Sequence, residues 1–291
     1  MKTYIICYFL FVSILLPSQN TSDSLRQVLK EKPMIDREYI DVLNELTLNL
    51  ILTDPVAGMS QASESLRLIE TIEYPQGLFT ALMHKGSALW TIGLPDQALG
   101  HYYRAKNMES VASANTRVAL NNNIAEVFKQ KKLFDSALLY YNRALKISVY
   151  EKPELDFSIL EYNVGELYLI NQNLDSASEY FHKSYETATI TGNKRGKAYA
   201  LYGLGEISIL RDYPKKAVSS HLKALDLRES VGDIRGMIQS YQSLGNLYMK
   251  LSKIDSGLWY LRKSVAEASK AKSMDLLSSS YHSLALALEK S

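Results

Sequence analysis

Apolar and small side chains recur along this chain with the 3.6-residue period of an α-helix, and the whole pattern returns about every 40 residues. Around Gly245 the apolar positions fall at i−4, i−1 and i+3, as Tyr241, Leu244 and Tyr248, which is one face of a helix. The place of Gly245 is taken upstream by Gly86, Ala125, Gly165 and Gly205 and downstream by Ala285, at steps of 40 with a single step of 39. A second ladder of small residues runs in register with the first, as Gly58, Ala98, Ala137, Ala177, Ala217 and Gly257. Members of this ladder are followed by a large residue at i+4 and a small one at i+7, as in Tyr102 and Ala105, Tyr141 and Ala144, and Phe181 and Ser184. Two ladders in register predict a helix, a turn and a second helix in every period. The small residues let the second helix pack closely on the first.

This spacing divides residues 35–291 into six repeats, at about 35–73, 76–109, 115–150, 154–190, 194–231 and 234–270, with a remainder after them. The turn of the first repeat is Thr53, Asp54, Pro55, where Asp can cap and Pro suits the first helical turn. That repeat is one residue short, which puts its small position at Thr47. Between repeats, Gly192 and Gly232 are placed to end helices in the left-handed conformation, and Asn193 and Asp233 to cap the next ones. Asp96, Asp135, Asp175 and Asp255 recur near the start of second helices, where their charge suits the positive end of the helix dipole. The remainder carries the first-helix positions Tyr281, Leu284, Ala285 and Leu288, with Ser278, Ser279, Ser283 and Glu289 on its other face. It is either a polar capping helix or the first half of a further repeat.

The paired ladders resemble the tetratricopeptide repeat (TPR) family, whose pattern is W-x2-L-G-x2-Y…A-x3-F…P. The resemblance covers residues 37–291, with two departures. No Trp stands at the first aromatic position, where this chain has Leu82, Asn121, Glu161, Leu201 and Tyr241, and the period is 40 in place of about 34. The longer period, with GNKRGKAYAL and GDIRGMIQSY between repeats, is similar to the subclass with lengthened helices found in Leu-Gly-Asn-type adaptors and bacterial regulators. Armadillo and HEAT arrays share the period without the paired ladders. The resemblance implies an all-α fold, a right-handed α-solenoid of stacked helix-turn-helix TPR repeats. It also implies a non-enzymatic module that takes a protein or peptide partner in its concave groove, as scaffold or sensory input.

Residues 1–19, MKTYIICYFLFVSILLPSQ, set Lys2 before an apolar run from Tyr4 to Leu16 that Pro17 closes, the layout of a secretory signal peptide. The run is short for a bilayer span. The expectation is export to the periplasm or cell envelope; an uncleaved membrane anchor is the alternative. The only cysteine, Cys7, lies inside that run, which fits a mature chain without thiols in an oxidising compartment. Residues 20–34 read as a polar leader, helical around Leu25, Val28 and Leu29, that leans on the first repeat. A net charge of +2 favours neither nucleic acid nor a charged membrane surface as partner.

Catalytic signatures are missing from the sequence: there is no glycine-rich phosphate loop, no HExxH, no GxSxG and no cysteine pair. His84, His101, His182, His221 and His282 never fall at metal-ligand spacing, and no cofactor is expected. A second reading places the output elsewhere, making this the sensor region of a histidine kinase or transcription regulator that continues beyond Ser291; in that case, or with an uncleaved anchor, the chain would be tied to a membrane.

The resemblance directs attention to the first helices, which build the concave surface in this family. The positions that face it there are Asn122, Glu126 and Lys129; Tyr162 and Glu166, with Leu169; Tyr199, Tyr202 and Glu206, with Ile209; and Gln239, Gln242 and Asn246, with Met249. Glu126, Glu166 and Glu206 occupy the same position of successive repeats, and Tyr162, Tyr199 and Tyr202 precede the latter two on the same helices, so stacked repeats would align an acidic stripe beside an aromatic one. Such a face suits a basic or amine-bearing peptide, its apolar parts against tyrosine and its charge against carboxylates. The alternative is a solvated helix face whose glutamates are neutralised by neighbouring lysines or arginines. The Lys and Asn clamp that holds acidic peptide tails in this family is not reproduced.

Overall fold

A computed structural model describes residues 19–32, 34–151, 156–271 and 273–289; the apolar run of residues 1–18 lies outside them. Among the described residues the regular structure is helical. The chain divides into two compact units, Met1–Pro153 and Glu154–Ser291.

The first unit contains α1 (Gln19–Glu31), α2 (Arg37–Thr53), α3 (Pro55–Ile69), α4 (Pro75–Thr91), α5 (Pro95–Lys106), α6 (Ala114–Gln130) and α7 (Phe134–Glu151). Helices α2 and α3, α4 and α5, and α6 and α7 pair as the ladders predict, and α2 also lies against α4. The expected leader is the helix α1, which lies against α2 and whose Leu29 packs on the cluster of Ile40, Leu43, Leu68 and Ile69. A single 3-10 turn, Glu109–Val111, links α5 to α6.

The second unit contains α8 (Ser158–Ile170), α9 (Leu174–Ile190), α10 (Lys194–Leu210), α11 (Pro214–Ser230), α12 (Ile234–Lys250), α13 (Ile254–Lys270) and α14 (Met274–Glu289). Here the pairs are α8 with α9, α10 with α11 and α12 with α13, and first helices meet in α8 with α10 and α12 with α14. Helix α14 leaves Tyr281 and Leu288 about half exposed, the face that a second helix covers in the repeats before it.

The two ladders meet inside each pair. A Cβ on Gly165 would come within 2.7 Å of Phe181, one on Gly205 within 2.7 Å of His221, and one on Gly245 within 2.5 Å of Leu261. These contacts are shorter than any ordinary carbon contact, so glycine is what permits the helices to approach. Phe181 is fully buried and touches glycine on both sides, because Gly203 of α10 lies as close to its ring as Gly165 of α8. Thr47, the small position of the first repeat, is fully buried in α2.

The turns between repeats follow expectation: Gly192 and Gly232 adopt φ of +72° and +66°, and the side chains of Asn193 and Asp233 accept from Gly196 N at 2.9 Å and Gly236 N at 3.0 Å. The turns within repeats also pass through the left-handed region, where Gly93 gives way to Lys132, Gln172, Asp212 and Ser252 at φ near +58° to +60°. Each closes a six-to-one backbone bond, such as Asn173 N to Tyr168 O at 2.9 Å, that satisfies a carbonyl at the helix end. Among the described residues no helix is long and apolar enough to cross a membrane.

Candidate functional site

Within the first unit, α6 presents Asn122, Glu126 and Lys129. The structure sets them inside the packing, where the sequence places them on an open groove. Asn122 is fully buried and Glu126 is 3% exposed. The Glu126 carboxylate accepts from Lys129 Nζ at 2.9 Å and from the Tyr141 hydroxyl of α7. The cause is local: Lys129 is one turn along the same helix, and Tyr141 is the large residue of the second ladder, brought in by the helix pair. The charge of Glu126 is therefore already answered within its own repeat.

The second unit gathers most of the remaining candidates into one aromatic and polar cluster on α8, α10 and α12. Tyr162 stacks at an angle on Tyr199, centroid to centroid 5.3 Å, and on Phe181 at 5.4 Å. Both tyrosines are nearly buried, at 4% and 6% exposure, because successive first helices lie side by side here. They form the floor of the face more than its contact surface. Tyr202 is half-buried, packs on the His221 ring at 5.0 Å and shares a hydrogen bond of 3.1 Å with Ser243. Gln242 donates to Ser279 at 2.9 Å and Ser280 at 3.0 Å, and Asn246 is exposed.

The residue that organises this cluster is Arg228 of α11, which the candidate positions omit. It is fully buried and donates to Gly236 O at 2.8 Å, Ser240 Oγ at 2.6 Å and Gln239 Oε1 at 3.3 Å. Its guanidinium lies 4.7 Å from the Tyr202 centroid and 5.3 Å from that of Tyr199, a double cation–π contact in a water-poor site. No carboxylate forms a salt bridge with it among the described residues. A signal was present in the sequence: at this register Ser148, Ala188 and Ala268 are small, and Arg228 alone among them carries charge.

Glu206 stands at the solvent edge of the cluster with its side chain 31% exposed. Burial raises its pKa, while hydrogen bonds from Tyr202 and Ser243 and the charge of Arg228 work the other way. Its Oε1 is 3.4 Å from His221 Nε2, yet neither ring nitrogen of His221 has a hydrogen-bond partner, so this is proximity without a formed bond. Burial, assisted by Arg228, pushes the His221 pKa down to about 4, and the ring is neutral at ordinary pH. Burial also raises the hydroxyls of Tyr162 and Tyr202, aided in each case by the nearest glutamate, Glu166 or Glu206. The arrangement holds neutral tyrosines and a desolvated carboxyl at the surface of a buried cation. It offers a hydrogen-bond acceptor, aromatic edges and the amides of Gln239, Gln242 and Asn246 to whatever lies against it. It has no nucleophile paired with a base.

Residues 118–148, spanning α6 and α7, match the model of the tetratricopeptide repeat family. No curated protein sequence matches the chain. Among solved structures, a Rap protein complexed with Competence and Sporulation Factor is similar at TM-score 0.68 and 14% identity, over 92% of this chain and 81% of that one. Aspartyl phosphate phosphatase F from Bacillus subtilis is similar at TM-score 0.63 and 17% identity, over 92% and 74%. BtubC from P. vanneervenii is similar at TM-score 0.56 and 15% identity, over 86% and 93%. At these identities the likeness is one of fold.

Proposed function

We propose that this tetratricopeptide-repeat protein is a non-catalytic binding module that takes a protein or peptide segment bearing a basic group on the first-helix face of its second unit. The observation that carries the reading is Glu206, a carboxyl one-third open to solvent whose pKa burial has raised. A cation arriving at such a carboxyl restores the stabilisation that desolvation removed. Tyr202 beside it supplies a rigid amphipathic surface, and Glu166 and Asn246 extend the polar rim along α8 and α12. A protein of the same fold is complexed with Competence and Sporulation Factor, which supports a binding role for the architecture. With residues 1–19 as a signal peptide, the module would act in the periplasm or cell envelope.

The experiment is selection of a random peptide display library on the full chain and on the variant Glu166→Gln/Glu206→Gln. The chain should enrich peptides containing Lys or Arg, and the variant should lose that enrichment while keeping its helical circular dichroism. Equal enrichment of basic peptides on both would overturn the reading.

A further inference from the structure

A cavity of about 490 Å³ opens in the first unit between the end of α5, the middle of α6 and the last turns of α7. Its wall is rich in cations: Lys106, Arg143 and Lys146 line it, facing Glu109 and Glu151. The two carboxylates are already matched. Lys106 Nζ holds Glu109 at 2.8 Å, and Arg117, one turn before Asn121 on α6, holds Glu151. Arg143 and Lys146 are left without a carboxylate among the described residues; Arg143 lies only over the Tyr140 ring, at 5.0 Å.

The floor of the same cavity is Asn121, which is 1% exposed. Its Nδ2 donates to Arg117 O at 2.8 Å, but its Oδ1 is buried with no donor. A buried acceptor without a donor is destabilising by an amount comparable to a full hydrogen bond, so a native structure keeps one where something else supplies the partner. Ile147 and Tyr150 give the rim an apolar and an aromatic flank.

We infer that this cavity is a binding site for a small organic anion, a carboxylate or a phosphate ester, that carries its own hydroxyl or amine donor. The anionic group sits between Arg143 and Lys146. The donor reaches inward to Asn121 Oδ1, with a small rotation of that side chain, and the carbon body lies against Ile147 and Tyr150. A mono-anion without a donor satisfies only half of the site, and a bridging water satisfies only the other half. This inference is independent of the peptide face on the second unit.

The test is calorimetric titration of the full chain with paired probes: malate against succinate, which differ by one hydroxyl, and glycerol 3-phosphate against inorganic sulfate. Malate should bind about tenfold tighter than succinate, the size of one buried hydrogen bond. The preference between malate and glycerol 3-phosphate assigns the anion as carboxylate or phosphate. Lys146→Met and Arg143→Gln, both at the cavity wall, should each weaken the preferred probe several-fold with unchanged circular dichroism, and Asn121→Leu, which removes the acceptor, should abolish the malate preference. Failure of all four probes to bind in the millimolar range overturns the inference. So does equal binding of malate and succinate, or binding that ignores both cation variants.

Discussion

The small-residue ladder can be tested by making one substitution, glycine to alanine, at two helical positions with opposite surroundings. Gly165 in α8 and Gly100 in α5 both gain the same intrinsic helix stabilisation from alanine, about 1 kcal/mol. A Cβ on Gly100 meets nothing within 4 Å. A Cβ on Gly165 comes within 2.7 Å of two carbons of Phe181 and 3.3 Å of Ala177 O. The fully buried ring has little room to retreat, since the backbone of Gly203 lies against it as well, close enough that a Cβ added there would also come within 2.7 Å. Overpacking of this kind costs about 1–3 kcal/mol. Gly100→Ala should therefore stabilise its helix pair by about 0.5–1 kcal/mol, and Gly165→Ala should fall below it by about 1–3 kcal/mol. In a Phe181→Ala background the penalty at Gly165 should vanish, because the two sites share one contact. Stacked repeats unfold piecewise, so the assay is amide hydrogen exchange resolved over α4–α5 and over α8–α10, not a single melting midpoint. Two alanines that shift local protection equally, within about 0.5 kcal/mol, would refute the packing argument.

His221→Phe copies the Phe181 arrangement one repeat on and removes a buried base. With a native pKa near 4 against about 6.5 unfolded, His221 leaves stability intact above pH 6.5 and withdraws up to about 3 kcal/mol as pH falls towards 4. Urea titrations of parent and variant should diverge only across that window, and parallel curves would contradict it. Arg228→Ala empties a fully buried volume and strands Gly236 O and Ser240 Oγ, so it should destabilise the second unit by about 3–5 kcal/mol, read as lost exchange protection in α11 and α12. Mass spectrometry of the chain from an envelope fraction should show an N-terminus between Ser18 and Leu25 if residues 1–19 direct export; an intact Met1 would exclude cleavage.

The helix pairs were legible because both ladders are spaced by backbone geometry, and each glycine or alanine marks a place where a ring or a branched chain must fit. The turns between repeats were legible through Gly192 and Gly232. Those within repeats were not, since Lys132, Gln172, Asp212 and Ser252 enter the left-handed region without glycine, held there by the six-to-one bonds of the helix ends. The candidate face was partly legible. Register places Tyr162, Tyr199, Tyr202 and Glu206 in one cluster, but periodicity does not reveal how closely first helices lie, and that closeness buries Tyr162 and Tyr199. Glu126 shows the same limit: its partner Lys129 is visible at i+3, whereas the Tyr141 hydroxyl reaches it only through the folded pair. Arg228 interrupts a run of small residues at its register, a departure that points to a buried cation once the ladder is drawn.

The most direct measurement of the binding role is titration of a library-selected basic peptide into the parent chain and into Glu206→Gln, at low and at high salt. The account predicts binding to the parent that weakens with salt, and at least tenfold weaker binding to the variant, about the worth of one charge-assisted hydrogen bond. Equal affinity for both chains at both salt levels would show that Glu206 is a solvated side chain and that the face does not recognise cations.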